Sequence, residues 1–126
     1  MTTEATEKIL YIGTKAGDDP EKAAMPFVMA NAALAMDIEA TVCLQGNGVY
    51  LAQKGYAEKM LPPGGFPSLK KLVSEFVELG GRLLVCVPCI KERQIDEGAE
   101  LIDGAQTTAA GALNVEATES KAVFVY

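Results

Sequence analysis

Two cysteines, Cys86 and Cys89, are the side chains of this sequence best placed by type and spacing to do chemistry. They form a Cys-Val-Pro-Cys motif, and the first of them ends the largely apolar run 82–86, which predicts a buried strand. A cysteine acts as a nucleophile in its thiolate form, so its reactivity depends on a lowered pKa. The motif therefore predicts a reactive pair of thiols at the end of a strand.

Two kinds of group near this motif could lower a cysteine pKa. A helix beginning near Pro88 or Cys89 would point free backbone N–H groups at the sulfur atoms. Lys91 and Arg93 add positive charge, which Glu92 partly offsets. The chain contains no histidine, which excludes Ser-His-Asp and Cys-His catalysis. Backbone amides and the two cations are therefore the candidate activators.

The residues alone leave three interpretations of the motif. Structural zinc needs about four ligands, and two cysteines without histidine supply half of them, so a subunit interface would have to provide the rest. A thioredoxin-type redox pair fits the Pro-Cys spelling. In the thioredoxin fold, however, the motif follows an early strand, whereas here three predicted strands precede it. The third interpretation is that the cysteines simply pack as small apolar side chains. This best explains Cys43, a cysteine outside the motif that lies inside the predicted strand 39–44. For Cys86 and Cys89 a position at the edge of the sheet favours a function.

The elements that must position these cysteines alternate between strand and helix along the whole chain. This pattern predicts an α/β fold, a three-layer α/β/α sandwich with a mostly parallel five-stranded sheet, formed by residues 1–126 as one domain. The carboxyl ends of parallel strands share one edge, where ligand sites form, so the cysteines are expected there. The predicted strands are 8–13, 39–44, 82–86, 100–102 and 121–126. The predicted helices are 20–36 (capped by Asp18 or Asp19), 49–54, 68–79 and 106–115, with a short helix or turn at 91–97.

Two glycine-containing segments predict loops. Segment 13–17 lacks the Walker spacing of a phosphate-binding loop and indicates a strand-to-helix turn. Segment 62–65, Pro-Pro-Gly-Gly, has no periodic pattern and predicts a surface loop, which is also a candidate for a subunit contact.

Composition narrows the class of protein further. A net charge of -6 over 126 residues argues against binding of a nucleic-acid backbone. The polar start 1–7 does not have the pattern of a secretory signal, and no apolar run approaches the roughly 20 residues of a membrane span. Three cysteines are an odd number and few for a disulfide framework. We therefore expect a soluble cytoplasmic protein with reduced thiols.

The run 84–93, Leu-Val-Cys-Val-Pro-Cys-Ile-Lys-Glu-Arg, resembles the active-cysteine segment of the DsrE/DsrF/TusD family of sulfur-handling proteins. In that family a cysteine ends a central strand, and a short helix follows with an arginine several residues later. By this resemblance Cys86 matches the persulfide-carrying cysteine, and Cys89 matches a second cysteine of the YchN-like branch. Arg93 matches the arginine, but where the family usually has Arg-Gly this sequence has Arg93-Gln94.

The likeness extends over nearly the whole chain. It includes the opening Ile-Leu-Tyr-Ile-Gly strand, the Asp-Asp-Pro-Glu helix start, the turn 46–49 and the helix that precedes the cysteine strand. The resemblance implies sulfur relay through a cysteine persulfide. It also implies a homo-oligomer, a trimer or a hexamer, or a mixed assembly of related subunits.

Our leading hypothesis is a small cytoplasmic sulfur-relay protein. Cys86 would accept a sulfane sulfur from a donor protein and pass it to an acceptor thiol, while Cys89 would resolve or protect it. Lys91, Arg93 and the helix N-terminus would stabilise the anionic sulfur. The alternatives are a thiol-disulfide or peroxiredoxin-like redox protein that uses both cysteines, and a non-catalytic α/β binding subunit. Whether the protein is an enzyme, a sulfurtransferase, is left open, and no cofactor and no metal are predicted.

Overall fold

The computed structural model describes residues 6–126, which contain one sheet of five strands. The strands are β1 (Lys8–Gly13), β2 (Glu39–Leu44), β3 (Arg82–Cys86), β4 (Ala105–Thr108) and β5 (Ala122–Val125). Their order is β4-β3-β2-β1-β5, and every neighbouring pair is parallel. The predicted α/β fold is confirmed, and the sheet is parallel throughout rather than mostly parallel. Residues 1–5, on which the argument against a secretory signal largely rests, lie outside the described residues.

Within residues 6–126, four helices and two short 3₁₀ segments connect the strands. The helices are α1 (Pro20–Ala35), α2 (Leu69–Glu78), α3 (Val87–Glu92) and α4 (Ala110–Glu119), and the 3₁₀ segments are Gly46–Ala52 and Ala57–Lys59. Asp19 caps α1 by accepting a hydrogen bond from the N–H of Lys22 at 3.2 Å. Ser68 caps α2 in the same way, from the N–H of Lys71 at 3.2 Å. These caps explain why both helices start where the sequence predicts.

The helices cover both faces of the sheet, because the strands carry apolar side chains on both. On one face α1 and α2 pack over a large cluster in which the rings of Phe27 and Phe76 meet edge to face at 5.6 Å. On the opposite face α4 covers a smaller cluster, made of Leu10, Ile12, Cys43, Leu84, Leu113 and Ala117. In the described part of the chain no helix is both long and apolar enough to span a membrane.

The region after α3 contradicts the prediction from sequence. A strand was expected at 100–102 and a helix at 106–115. Instead, the strand β4 occupies 105–108 and the helix α4 occupies 110–119. Because β4 lies at the edge of the sheet, its Ala-Gln-Thr-Thr sequence needs few apolar side chains. An apolar pattern therefore could not identify it.

The apolar pair Leu101 and Ile102 does take part in backbone pairing, but outside the sheet. Ile102 donates its N–H to the carbonyl oxygen of Ala52 at 2.9 Å, and Leu101 forms one antiparallel bridge with Gln53. This pairing fastens the loop before β4 to the end of the 46–52 segment.

Two short helical segments begin earlier than predicted. The expected helix at 49–54 is the 3₁₀ segment 46–52, and the expected helix or turn at 91–97 is α3. α3 begins immediately after β3, and Pro88 lies in its first turn, where its missing N–H is not needed. Segment 62–65 lies in the irregular connection before α2, in agreement with the loop prediction.

Candidate functional site

The Cys-Val-Pro-Cys motif lies at the carboxyl edge of the sheet, where β3 passes directly into α3. Cys86 is the last residue of β3 and the N-cap of α3, and Cys89 lies in the first turn of that helix. Both cysteines are free and partly exposed, and their Sγ atoms are 2.9 Å apart. The structure therefore brings together the two cysteines that the sequence selects, close enough to share one proton.

The turn after β2 supplies a backbone donor to this pair. The N–H of Gly46 donates to the Sγ atom of Cys89 at 3.3 Å. Gly46 has a φ of +53°, a conformation that glycine adopts without steric cost. Gly48, two residues later, packs so closely that a β-carbon there would collide with the carbonyl oxygen of Gly13. The two glycines thus allow the turn to lie against both β1 and the cysteine site.

Arg93 fastens α3 to the same turn. Its Nε and Nη2 atoms donate to Oδ1 of Asn47 at 3.2 and 3.0 Å, and its Nη1 atom donates to the carbonyl oxygen of Cys89 at 3.1 Å. The guanidinium also lies 5.9 Å from the centre of the Tyr50 ring. Because its donors are engaged with oxygen atoms, Arg93 orients the site and acts on the sulfur atoms through its charge alone.

Lys91, the other predicted supporting residue, is placed differently. It is exposed in the last turn of α3, and its side chain makes no hydrogen bond or ion pair with any residue of 6–126. The structure therefore gives Lys91 no hydrogen bond to either cysteine among the described residues.

The electrostatics of Cys86 run against the expectation of an activated thiol. Burial raises its pKa above the ordinary value, and its hydrogen bond with Cys89 raises it further. The backbone N–H of Cys89 and the charge of Arg93 lower the pKa, but by less. Cys86 is therefore a thiol that tends to keep its proton.

Cys43 has a third environment. It is fully buried beneath the edge of the sheet, within the smaller cluster under α4. Burial, together with repulsion from Cys86 and Cys89, raises its pKa to about 12. The prediction that this cysteine packs as a small apolar side chain agrees with its burial.

The site also contains residues that sequence reasoning did not assign. The rings of Tyr50 and Tyr56 stack with their centres 5.1 Å apart, and the hydroxyl of Tyr56 accepts a hydrogen bond from the N–H of Gly17 at 3.0 Å. Asn47 contacts Arg93, as described above. The signal for this group was the Gly-Asn-Gly turn directly after a buried strand, because such a turn brings backbone and side-chain polar groups to the carboxyl edge.

The described residues offer no alternative centre for metal chemistry, since no group of three or more potential ligands lies together among residues 6–126. A separate cavity of about 420 Å³ lies between α2 and the 3₁₀ segments. Neither Cys86 nor Cys89 lines it. The cysteine pair thus lies apart from this cavity.

The model of the DsrE/DsrF-like family matches residues 7–126. Uncharacterized protein MJ0760 of Methanocaldococcus jannaschii is 34% identical over 106 residues, which cover 80% of this chain and 38% of that protein. Uncharacterized protein MJ0989 of the same organism is 35% identical over 99 residues, which cover 79% of this chain and 82% of that protein. The chain thus spans well under half of the first relative and most of the second.

Two solved structures have a similar fold. The YchN protein of E. coli superposes with a TM-score of 0.80 at 17% sequence identity, covering 96% of this chain and 100% of that one. MTH1491 of Methanobacterium thermoautotrophicum, described as a protein of unknown function, superposes with a TM-score of 0.69 at 14% identity, covering 97% and 100%. At these identities the likeness concerns the fold.

Proposed function

The chain belongs to the DsrE/DsrF-like family, and on this premise we propose that it is a sulfur-relay protein that carries a persulfide on the Cys86–Cys89 pair. Family membership supports a role in handling sulfur. The observation that carries the proposal is the geometry of the pair, with two free sulfur atoms 2.9 Å apart at the carboxyl edge of the sheet. A backbone N–H faces one of them and the positive charge of Arg93 is close by.

The chemistry is thiol exchange. A thiolate of the pair attacks the terminal sulfur of a donor persulfide, the donor's S–S bond breaks, and the donor leaves as a thiolate that takes up a proton. An acceptor thiolate then attacks the outer sulfur of the new persulfide and regenerates the cysteine. Each step exchanges one S–S bond for another, so no external oxidant or reductant is needed.

The proposal includes partners and assembly. The donor and the acceptor of the sulfur are other proteins, the chain acts in the cytoplasm, and it assembles with copies of itself into a trimer or a hexamer. Sedimentation velocity over a range of concentrations tests the assembly. A species with the mass of a single chain at every concentration would contradict this part of the proposal and leave the sulfur chemistry untouched.

Mass spectrometry of the intact protein tests the relay directly. After incubation with glutathione persulfide, the wild type is expected to gain about 32 Da, the mass of one sulfur atom, and to lose it to an added thiol. The double variant Cys86→Ser/Cys89→Ser should gain nothing, whereas Cys43→Ala should load like the wild type. A wild type that neither gains sulfur nor releases sulfide, or a double variant that loads equally, would refute the proposal.

The short distance between the sulfur atoms also favours a second candidate, a thiol-disulfide redox protein. This function requires a reversible disulfide between Cys86 and Cys89, which non-reducing peptide mapping after mild oxidation would detect. A disulfide that forms readily in a protein unable to accept sulfur would select the redox function. Cysteines that resist alkylation in the native protein would instead favour a non-catalytic binding subunit.

A further inference from the structure

We propose that Cys89 accepts the sulfur and that Cys86 holds the proton of the pair, which reverses the roles predicted from the sequence. This assignment rests on the proposed sulfur-relay function and names the attacking atom within it. It follows from the hydrogen-bond donors that surround each sulfur atom.

The backbone N–H that donates to the Cys89 sulfur comes from outside the cysteine motif and is held in place there. Gly46 points its N–H at the Sγ atom of Cys89 from the turn after β2. The neighbouring residue of that turn, Asn47, is bound by two nitrogen atoms of Arg93, whose third nitrogen binds the carbonyl oxygen of Cys89. The guanidinium thus connects the turn that carries the Gly46 N–H to Cys89, whose sulfur accepts that hydrogen bond. A preorganised amide of this kind stabilises a negative charge without having to reorient.

Cys86 lacks an equivalent support. The amide that faces its sulfur belongs to Cys89 in the same turn, and α3 has six residues, which is too short for a strong helix dipole. Its surroundings also favour the neutral thiol, because burial raises its pKa. The two sulfur atoms are 2.9 Å apart, so an S–H on either one can donate to the other. Because the N–H of Gly46 already donates to the Cys89 sulfur, the proton of the pair lies on Cys86, from where it is donated to the Cys89 thiolate.

The transfer steps then follow with atoms and electrons balanced. The Cys89 thiolate attacks the terminal sulfur of the donor persulfide, and the donor thiolate leaves. When an acceptor thiolate attacks the outer sulfur, Cys89 is the leaving group, and the S–H of Cys86 stabilises the departing thiolate by hydrogen bonding. Cys86 need not form a bond to the carried sulfur.

Without an acceptor, the same contact opens a second route. The sulfur of Cys86 attacks the inner sulfur of the Cys89 persulfide, a Cys86–Cys89 disulfide forms, and hydrosulfide leaves with the Cys86 proton. In this step the outer sulfur is reduced to sulfide and the Cys86 sulfur is oxidised from thiol to disulfide, while the Cys89 sulfur exchanges one S–S bond for another, so the electrons balance. Cys86 is then the resolving cysteine.

Native-state alkylation tests the assignment independently of any sulfur transfer. With iodoacetamide at pH 7 and peptide mapping at short times, Cys89 should be modified about tenfold faster than Cys86, since rate follows the thiolate fraction. Cys43 is expected to remain unmodified and serves as the buried internal standard. Faster modification of Cys86 would overturn the assignment, even if the protein relays sulfur.

Loading with glutathione persulfide supplies the second test. Cys86→Ser should still gain one sulfur, mapped to Cys89, and should release almost no sulfide. Cys89→Ser should load at least about tenfold more slowly. The wild type should release up to one sulfide per chain as the disulfide forms. Fast loading of Cys89→Ser would overturn the roles and leave the relay function standing, whereas a wild type that neither gains sulfur nor releases sulfide would refute both.

Discussion

At the scale of single residues, the surroundings distinguish three cysteines that are chemically identical. Cys43 is buried in the smaller apolar cluster, and Cys86 is partly buried at the end of β3. Cys89 accepts a hydrogen bond from the backbone N–H of Gly46, which lies in another element. The sequence identifies the pair and sets Cys43 apart, because strand interiors are buried. It could not rank Cys86 against Cys89, since the amide that decides comes from Gly46, about 40 residues earlier in the chain.

Gln94 is a residue whose cost can be predicted. α3 ends in a Schellman motif, in which Gln94 donates its N–H to Lys91 and Ile95 donates to Ile90, with both isoleucines buried. Gln94 occupies the left-handed position, with a φ of +56°, where glycine is usual. This is also the position at which the DsrE/DsrF/TusD resemblance expects glycine.

We predict that Gln94→Gly raises the free energy of unfolding by about 0.5–1 kcal/mol, because removal of the β-carbon relieves the strain of a positive φ and outweighs the added freedom of the unfolded chain. Urea denaturation measures the change. Gln94→Ala is the matched control, since it retains a β-carbon and should show no comparable gain. Equal stabilisation by alanine would mean that the side chain, and not the backbone, is the source of the strain.

At the scale of elements, the 46–52 segment and α3 act as one unit joined by Arg93. We predict that Asn47→Ala lowers the alkylation rate of Cys89 by about threefold or more, because the turn that carries the Gly46 N–H loses its tie to α3. Iodoacetamide kinetics with peptide mapping provide the measurement. Asn114→Ala, an exposed change on α4, should leave the rate unchanged. An unaltered rate in Asn47→Ala would show that the turn holds its position without Arg93.

The same unit depends on close backbone packing at Gly48. We predict that Gly48→Ala lowers the free energy of unfolding by about 2 kcal/mol or more, because the new β-carbon meets the carbonyl group of Gly13, which is fixed in β1. Gly64→Ala is the control, as a β-carbon there meets nothing within 4 Å and the residue does not have a positive φ. Thermal denaturation of the two variants separates a packing effect from a general cost of replacing glycine. Similar unfolding midpoints for Gly48→Ala and Gly64→Ala would contradict the prediction.

Elements were predictable from sequence to the extent that burial left a pattern. β1, β2 and β3 lie in the interior of the sheet order and read as apolar runs, and Asp19 and Ser68 mark the starts of α1 and α2. β4 was missed because its Ala-Gln-Thr-Thr sequence is mostly polar and its strand conformation comes from pairing with β3. The start of α4 was therefore misplaced as well. The other edge strand, β5, was predicted because it is an apolar run.

At the scale of the whole molecule, α4 is held to the sheet by charged contacts as well as by apolar ones. Most of the helix is exposed, but Glu116 is buried and accepts hydrogen bonds from Thr41 at 2.9 Å and Arg82 at 2.7 Å. Lys8 lies 3.2 Å from the same carboxylate. These three partners come from three different strands near their amino ends. Glu116 thus fastens α4 to the sheet at the edge opposite the cysteines.

This arrangement makes stability depend on pH through Glu116. Burial alone would raise the pKa of its carboxyl, but the hydrogen bonds from Thr41, Arg82 and Lys8 outweigh burial and lower it from the usual 4.5. A carboxyl with a lowered pKa in the folded state contributes its full stability above its unfolded value and loses it as the pH falls through the folded value. Glu116→Gln should therefore cost about 1–2 kcal/mol at pH 7, a modest figure because Arg82 is half exposed.

The dependence on pH is what distinguishes this ion cluster from simple packing. The difference in free energy of unfolding between wild type and Glu116→Gln should be constant from pH 7 to about pH 5 and should shrink below about pH 4.5, where the carboxyl of the unfolded wild type begins to take up a proton while the folded carboxyl still resists it. Urea denaturation at each pH measures it, with Glu119→Gln as an exposed control on the same helix. A difference that persists undiminished at low pH would assign the role of Glu116 to shape rather than charge. Because the cluster lies at the amino ends of the strands, the alkylation rate of Cys89 at pH 7 should be the same in all three proteins.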